Sequence, residues 1–115
     1  MNYEELSDFE VNKAVAEALY PKLLDFDRGG NVLEDGKTIF VLNSGWMDYC
    51  NNPSDAEPII VENRISILSN TVMGGGKYWQ ALDERRQFEA SHTTNRLRAA
   101  MIVFLKMKES DNENN

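Results

Sequence analysis

The chain has 115 residues and a formal charge of −7, with 12 Lys and Arg against 19 Asp and Glu. That length suits one domain with a core of its own, and the acidity argues against a nucleic-acid backbone as direct partner, which calls for a basic footprint. The single cysteine, Cys50, excludes an internal disulfide and fits a reducing cytoplasm.

The opening residues MNYEELSDFE carry acids where a secretory leader needs bases. No apolar run approaches the roughly 20 residues of a membrane span. The expected setting is therefore the cytoplasm, away from membranes. Ser7-Asp8-Phe9-Glu10 has the S-x-x-E pattern of a capping box. Val11, Val15, Ala18 and Leu19 follow at helical spacing with Ala14 beside them, which predicts a helix over 8–19 that ends before Pro21. Arg28-Gly29-Gly30-Asn31 and Glu34-Asp35-Gly36-Lys37 read as turns. An additional strand within 22–34, starting at Val32-Leu33, is one option for the stretch around them.

Thr38-Ile39-Phe40-Val41-Leu42 is the clearest strand, β-branched and almost continuously apolar, as in a strand covered on both faces. Residues 43–52, NSGWMDYCNN, read as a polar and aromatic loop. Ser54 and Glu57 repeat the capping-box pattern and predict a helix over 54–63, with Pro58 in its first turn or so and Asn63 as a left-handed end. Strands are predicted over 65–69 and 77–82, forming a hairpin around NTVMGGG. Residues 83–94 are polar and read as a mobile connection. Asn95 is placed to cap a last helix over 95–108.

That last helix organises the fold. Ala99 to Leu105 is an unbroken run of seven apolar residues, broader than the stripe of a surface helix. Arg96, Arg98, Lys106 and Lys108 stand at its ends, where long stems can carry charge to water. Residues 109–115, ESDNENN, have nothing to bury and read as a disordered acidic tail. The expected fold class is α+β: one domain over 1–108, with a small antiparallel sheet of 38–42, 65–69 and 77–82 covered by helices, the C-terminal one buried.

Few residues carry chemistry. Gly74-Gly75-Gly76-Lys77 is only a partial phosphate-loop pattern. Thr71 stands where the first glycine belongs and Tyr78 where Ser or Thr should follow the lysine, so a hairpin loop is the better reading. One cysteine and one histidine, His92, make no zinc site without carboxylates, and no metal or cofactor is expected. A Cys50–His92 nucleophilic pair requires spatial contact. Asp48, Asp55 and Glu57 could bind a hard cation or serve acid–base work, though their spacing matches no calcium loop and capping a helix start is the commoner role. The acids are scattered rather than ranked at phosphate-like spacing, so a DNA mimic ranks below ordinary binding. Trp46, Met47, Asp48 and Tyr49 suit a recognition surface, which Trp79 could join; the bland alternative is that Trp46 and Trp79 close the core. Arg85-Arg86 is balanced by Asp83-Glu84 and reads as a solvated face.

Several short patterns occur together: Ala14-Val15-Ala16, Asp48-Tyr49-Cys50 leading to Pro58-Ile59-Ile60, Ile65-Ser66-Ile67, Trp79 followed by Ala81, and Leu97 with Ala99-Ala100-Met101. In these the chain resembles the NinX-like proteins of tailed phages and prophages, related to the phage alpha-beta-alpha sandwich domain. It departs from them at Arg96, where the family often has proline, and at Ala56 and Glu57, where Gly or Trp is frequent. The resemblance implies a phage-encoded accessory protein acting in the bacterial cytoplasm, and it brings no catalytic residues with it. The leading expectation is a non-enzymatic binder of a host or phage protein. The alternative is a small enzyme or ligand binder using Cys50, His92 and the nearby carboxylates.

Overall fold

Sequence order and burial are tied together by the last helix. In a computed structural model, which describes residues 2–20, 36–41 and 44–113, a short 3-10 turn at Tyr3–Glu5 leads into α1 (Asp8–Leu19). β1 (Ile39–Val41), β2 (Gly45–Met47), α2 (Pro53–Glu62), β3 (Ser66–Thr71), β4 (Lys77–Leu82), β5 (Glu89–His92) and α3 (Arg96–Glu113) follow. The α+β class is as expected, and α3 packs against α1, α2 and all three strands β3, β4 and β5. The expected additional strand within 22–34 lies outside the described residues.

α3 starts where the sequence places it. Asn95 Oδ1 accepts the Arg98 N–H at 3.0 Å, and every residue from Ala99 to Leu105 is buried. Burying Leu97, Met101, Ile102, Phe104 and Leu105 contributes roughly 1.5–3 kcal/mol each as an upper bound. Two details differ from the expectation. Arg98 is only 7% exposed, because its guanidinium finds partners inside: Asp8 Oδ1 at 2.8 Å and the Leu6 carbonyl. The helix also continues through Glu113 rather than stopping at 108. No Gly or Pro interrupts residues 109–113, and Glu109 and Ser110 are half-buried rather than loose.

α1 has its capping box: Ser7 Oγ accepts the Glu10 N–H at 3.1 Å, and Glu10 Oε1 accepts the Ser7 N–H at 3.2 Å. Its buried stripe is Val11, Asn12, Val15 and Ala16. Ala18 is exposed, so the stripe lies one step round from the expected one.

α2 begins one residue early. Asn52, not Ser54, is the cap, its Oδ1 accepting the Ser54 N–H at 3.0 Å, and Pro53 opens the helix. Pro58 consequently lies in the second turn, where it removes a bond to the Ser54 carbonyl; Ser54 is exposed, so water can take that carbonyl. The helix ends with the 6→1 and 5→2 bonds of a Schellman motif, Ile65 N–H to Ile60 O and Arg64 N–H to Val61 O. Arg64, with φ +53°, takes the left-handed position expected of Asn63. The Asn63 side chain instead donates to the Ile59 carbonyl at 2.8 Å.

The strands form two antiparallel sheets rather than one. β1 pairs with β2, Phe40 opposite Trp46. The second sheet has the order β3-β4-β5, with Ile67, Ala81 and Ala90 in register across it. Thus 38–42 does not join the 65–69 and 77–82 hairpin. β5 takes the third place, inside the stretch read as mobile. Its alternation of exposed Glu89, buried Ala90 and exposed Ser91 is a strand pattern too short to stand out. The hairpin turn is as read, with Gly74 and Gly75 at φ +100° and +93°. Of the acidic–basic run, Glu84, Arg85 and Arg86 are exposed but Asp83 is buried, its Oδ1 accepting the Phe88 N–H at 2.8 Å.

Candidate functional site

The segment expected as a recognition loop is mostly ordered structure, and its residues divide between inside and outside. Ser44 N–H donates to the Val41 carbonyl and Gly45 sits at φ +88°, which turns the chain back into β2. Strand alternation then points Trp46 out and Met47 in. Trp46 is 45% exposed and meets Phe40 edge to face, ring centroids 5.3 Å apart. Met47 is half-buried and packs on the core. Tyr49 is 1% exposed, so it offers no surface to a partner. Trp79 is half-buried in β4, in the other sheet. Neither tryptophan is fully enclosed.

Asp48 belongs to a polar junction where the three helix starts converge. Its carboxylate accepts Asn12 Nδ2 at 2.9 Å and Asn51 Nδ2 at 3.1 Å, and its N–H donates to Asp55 Oδ2 at 2.9 Å. Asn12, wholly buried in α1, also donates to the Lys37 carbonyl and accepts the Cys50 N–H at 3.0 Å. Asn51 reaches Asp8 Oδ2 at 3.2 Å and accepts from Asn95 Nδ2. Asp8 closes the circuit on Arg98. Asp48 and Asp55 thus orient backbone and side-chain donors, while Glu57 is exposed on α2. Among the described residues no group of three or more His, Cys, Asp and Glu could hold a metal ion.

The nucleophilic pair is not assembled. Cys50 is buried, with Sγ 3.9 Å from the Asp8 carbonyl. Burial, aided by the nearby Asp8 carboxylate, pushes its thiol up to about 12, so the nucleophilic thiolate is scarce at neutral pH. His92 Nδ1 accepts the N–H groups of Thr94 and Asn95 at 3.1 and 2.9 Å. The histidine therefore serves the start of α3, and its hydrogen bonds run to backbone rather than to Cys50.

Two features were not anticipated. On the β3–β4 hairpin Leu68, Val72 and Met73 are exposed, Met73 completely; Val72 and Met73 lie in the connecting turn between the two strands. Beside Tyr49 lies a cleft of about 140 Å³ between the end of α1, β2 and α2. Leu19, Met47, Pro58 and Ile59 form its apolar lining, and Asp55 and Glu62 contribute carboxylates. Among the described residues the buried Tyr49 hydroxyl has no hydrogen-bond partner. Burial, with Tyr20 and the Asp55 carboxylate nearby, pushes its pKa upward.

Inward polar side chains tie the helix starts together and an aromatic is held outward on a short hairpin, which defines a small α+β protein with an ordered polar junction. The chain belongs to the NinX family of bacteriophage P22, whose family model matches residues 2–108. Membership makes it a phage accessory protein and bears out the resemblance read from the short motifs. Comparisons with curated proteins and with solved structures gave no match. No helix among the described residues is long and apolar enough to cross a membrane.

Proposed function

We propose that this phage protein is a non-enzymatic binder of another protein, of host or phage origin, in the cytoplasm of the infected cell, and that Trp46 anchors the contact. The observation that carries the reading is the setting of Trp46. It is a large aromatic, 45% exposed, on a strand paired through its length and braced by Phe40. A pre-ordered aromatic contributes contact area with little ordering cost. The enzyme alternative finds less support, since Cys50 is enclosed and protonated and His92 is occupied at Nδ1.

The test is affinity capture from infected host cells, read by mass spectrometry, with wild type, Trp46→Ala and Met73→Ala side by side. Truncating a hot-spot aromatic costs about 2 kcal/mol or more of binding, roughly thirtyfold in affinity. Trp46→Ala should lose the captured partner while its thermal melt stays within a few degrees of wild type. Undiminished capture by Trp46→Ala with loss by Met73→Ala would move the interface to the β3–β4 hairpin and refute the anchor.

A further inference from the structure

We propose that the outer edge of β3 pairs antiparallel with the same edge of a second copy of this chain, Ser69 facing Ser69 of that copy across a two-fold axis. The contact goes beyond the Trp46 reading, since Trp46 stands on the other sheet.

The phase of the ladder decides which peptide groups the edge offers. In antiparallel strands, residues that exchange hydrogen bonds alternate with residues whose N–H and C=O point to the other side. Val72 N–H donates to the Gly76 carbonyl at 2.7 Å, and Asp83 N–H to the Phe88 carbonyl at 3.3 Å. Counting along the β3–β4 and β4–β5 registers from either bond gives the same phase. Ser66, Leu68 and Asn70 turn their peptides to β4. Ile67, Ser69 and Thr71 turn theirs outward, and these outward groups have no partner among the described residues.

The two edges of this sheet are finished differently. Natural edge strands are guarded by charge, proline, shortness or a cover. β5 has four residues, begins with Glu89, and has its outward Glu89 carbonyl taken by Lys106 Nζ at 2.7 Å. β3 has six residues paired to β4 without a break. Residues 65–76, ISILSNTVMGGG, hold no charge and no proline. The unguarded edge is that of β3.

What fits it is a second copy. On a chain of net charge −7 this neutral stretch lets two copies meet without setting acid against acid. The strand also matches itself. Hydrogen-bonded pairs join outward residues, and with Ser69 on the axis Ile67 faces Thr71 at both ends, so every outward peptide finds a partner. Sliding the pair one way sets Thr71 against Ile65, whose N–H already goes to the Ile60 carbonyl. Sliding it the other way sets Ile67 against Met73, in the turn. The centred register also covers the exposed Leu68 and Val72, which oppose Asn70 and Ser66 of the second copy, and it leaves the two Leu68 side chains diagonal to each other, within reach. α3 lies chiefly over β4 and β5, away from this edge. Two six-residue strands make a contact at the small end of specific interfaces, so the pair forms and parts with concentration.

The experiment is sedimentation velocity on the full chain from about 1 μM to about 1 mM, which spans moderate to weak dissociation constants. Amide exchange, read residue by residue by NMR, accompanies it on a dilute and a concentrated sample. Supporting the proposal, monomer passes to dimer, and exchange at Ile67, Ser69 and Thr71 slows as it does. Ser69 is exposed, so Ser69→Lys and Ser69→Glu should keep native spectra. Each sets like charges face to face and should weaken the dimer about tenfold, and an equimolar mixture of the two should restore it. Trp46→Ala should dimerise as wild type does. A monomer throughout overturns the proposal, as does a dimer without slowed exchange at the three amides or one lost in Trp46→Ala. A mixture no tighter than either Ser69 variant overturns the register. A monomer whose three amides are already protected has its edge covered by its own chain, which also overturns it. Wild-type exchange needs no variant, so a Ser69 variant that fails to fold leaves the test standing. A monomer whose Trp46→Ala form still loses a captured protein refutes the pairing alone.

Discussion

Replacing Tyr49 by phenylalanine should make the protein more stable, against the usual direction of core substitutions, which destabilise by about 1 kcal/mol on average. The ring is enclosed at 1% exposure and would remain in place. What changes is the hydroxyl, which is buried and has no partner among the described residues. Burying a hydroxyl without a hydrogen bond costs about 1–3 kcal/mol on the scale of protein mutational data. Removing it leaves a small void whose lost contacts take back part of that gain, so the net is about 1 kcal/mol of added stability. For a domain of this size that is roughly 4 °C in Tm. Urea midpoints at constant slope, with calorimetry alongside, measure it. Tyr49→Ala gives the control, since deleting the ring should cost about 3–5 kcal/mol. A Tyr49→Phe protein less stable than wild type by 1 kcal/mol or more would refute the reasoning, because the hydroxyl would then have a partner in solution.

Phe104→Ala should cost about 3–5 kcal/mol in a denaturant melt, since the ring is fully buried in α3; a loss under 1 kcal/mol would show that α3 is not the centre of the core. Asn12→Ala should cost about 3 kcal/mol, because it strands the buried Cys50 N–H and removes a donor from Asp48; near-wild-type stability would mean that water replaces the amide. Alkaline pH should destabilise the chain in a defined window. The Cys50 thiol is raised from 9.0 to about 12 in the folded state, so its contribution is complete below pH 9 and is lost as pH climbs from there through 12. Urea midpoints from pH 8 to 11 should fall more steeply for wild type than for Cys50→Ala, and parallel slopes would count against a protonated, enclosed thiol.

What the sequence made legible was local. The capping residues Ser7 and Asn95 carry their own hydrogen-bond geometry in three or four positions, and both act as read. The apolar run of α3 needed no context, since few surroundings can accept seven such residues except a core. What stayed hidden depends on partners far along the chain. β1 has the pattern of a strand but no mark of which strand it joins, and its neighbour β2 was disguised by three residues, GWM, beginning with glycine. β5 was masked by its polar outward residues. Asn12 looks like a solvent residue on α1, and only the turn 36 to 38 residues onward makes it a core acceptor and donor. Arg98 shows the same limit, its counter-ion Asp8 lying 90 positions away. In the 46–49 segment, the alternation that turns Trp46 outward follows from pairing with β1, a register no local signal announces.

The place of α3 at the end of the described fold bears on how the protein is made. Ribosomes deliver residues at about 5–20 per second from the N-terminus. α1 therefore emerges several seconds before the helix on which it packs, and α2 and the β3–β4 hairpin also precede that helix. Asp8 waits for Arg98, and Asn51 for Asn95, before the junction of helix starts can close. Until then the nascent chain holds Val11, Val15, Ile59 and Ile60 without the wall that covers them. Folding is thus deferred until α3 has been synthesised. A chain cut short ahead of residue 96 would lack the element on which α1, α2 and β3, β4 and β5 pack, and would be met as unfolded protein by the cell's proteases.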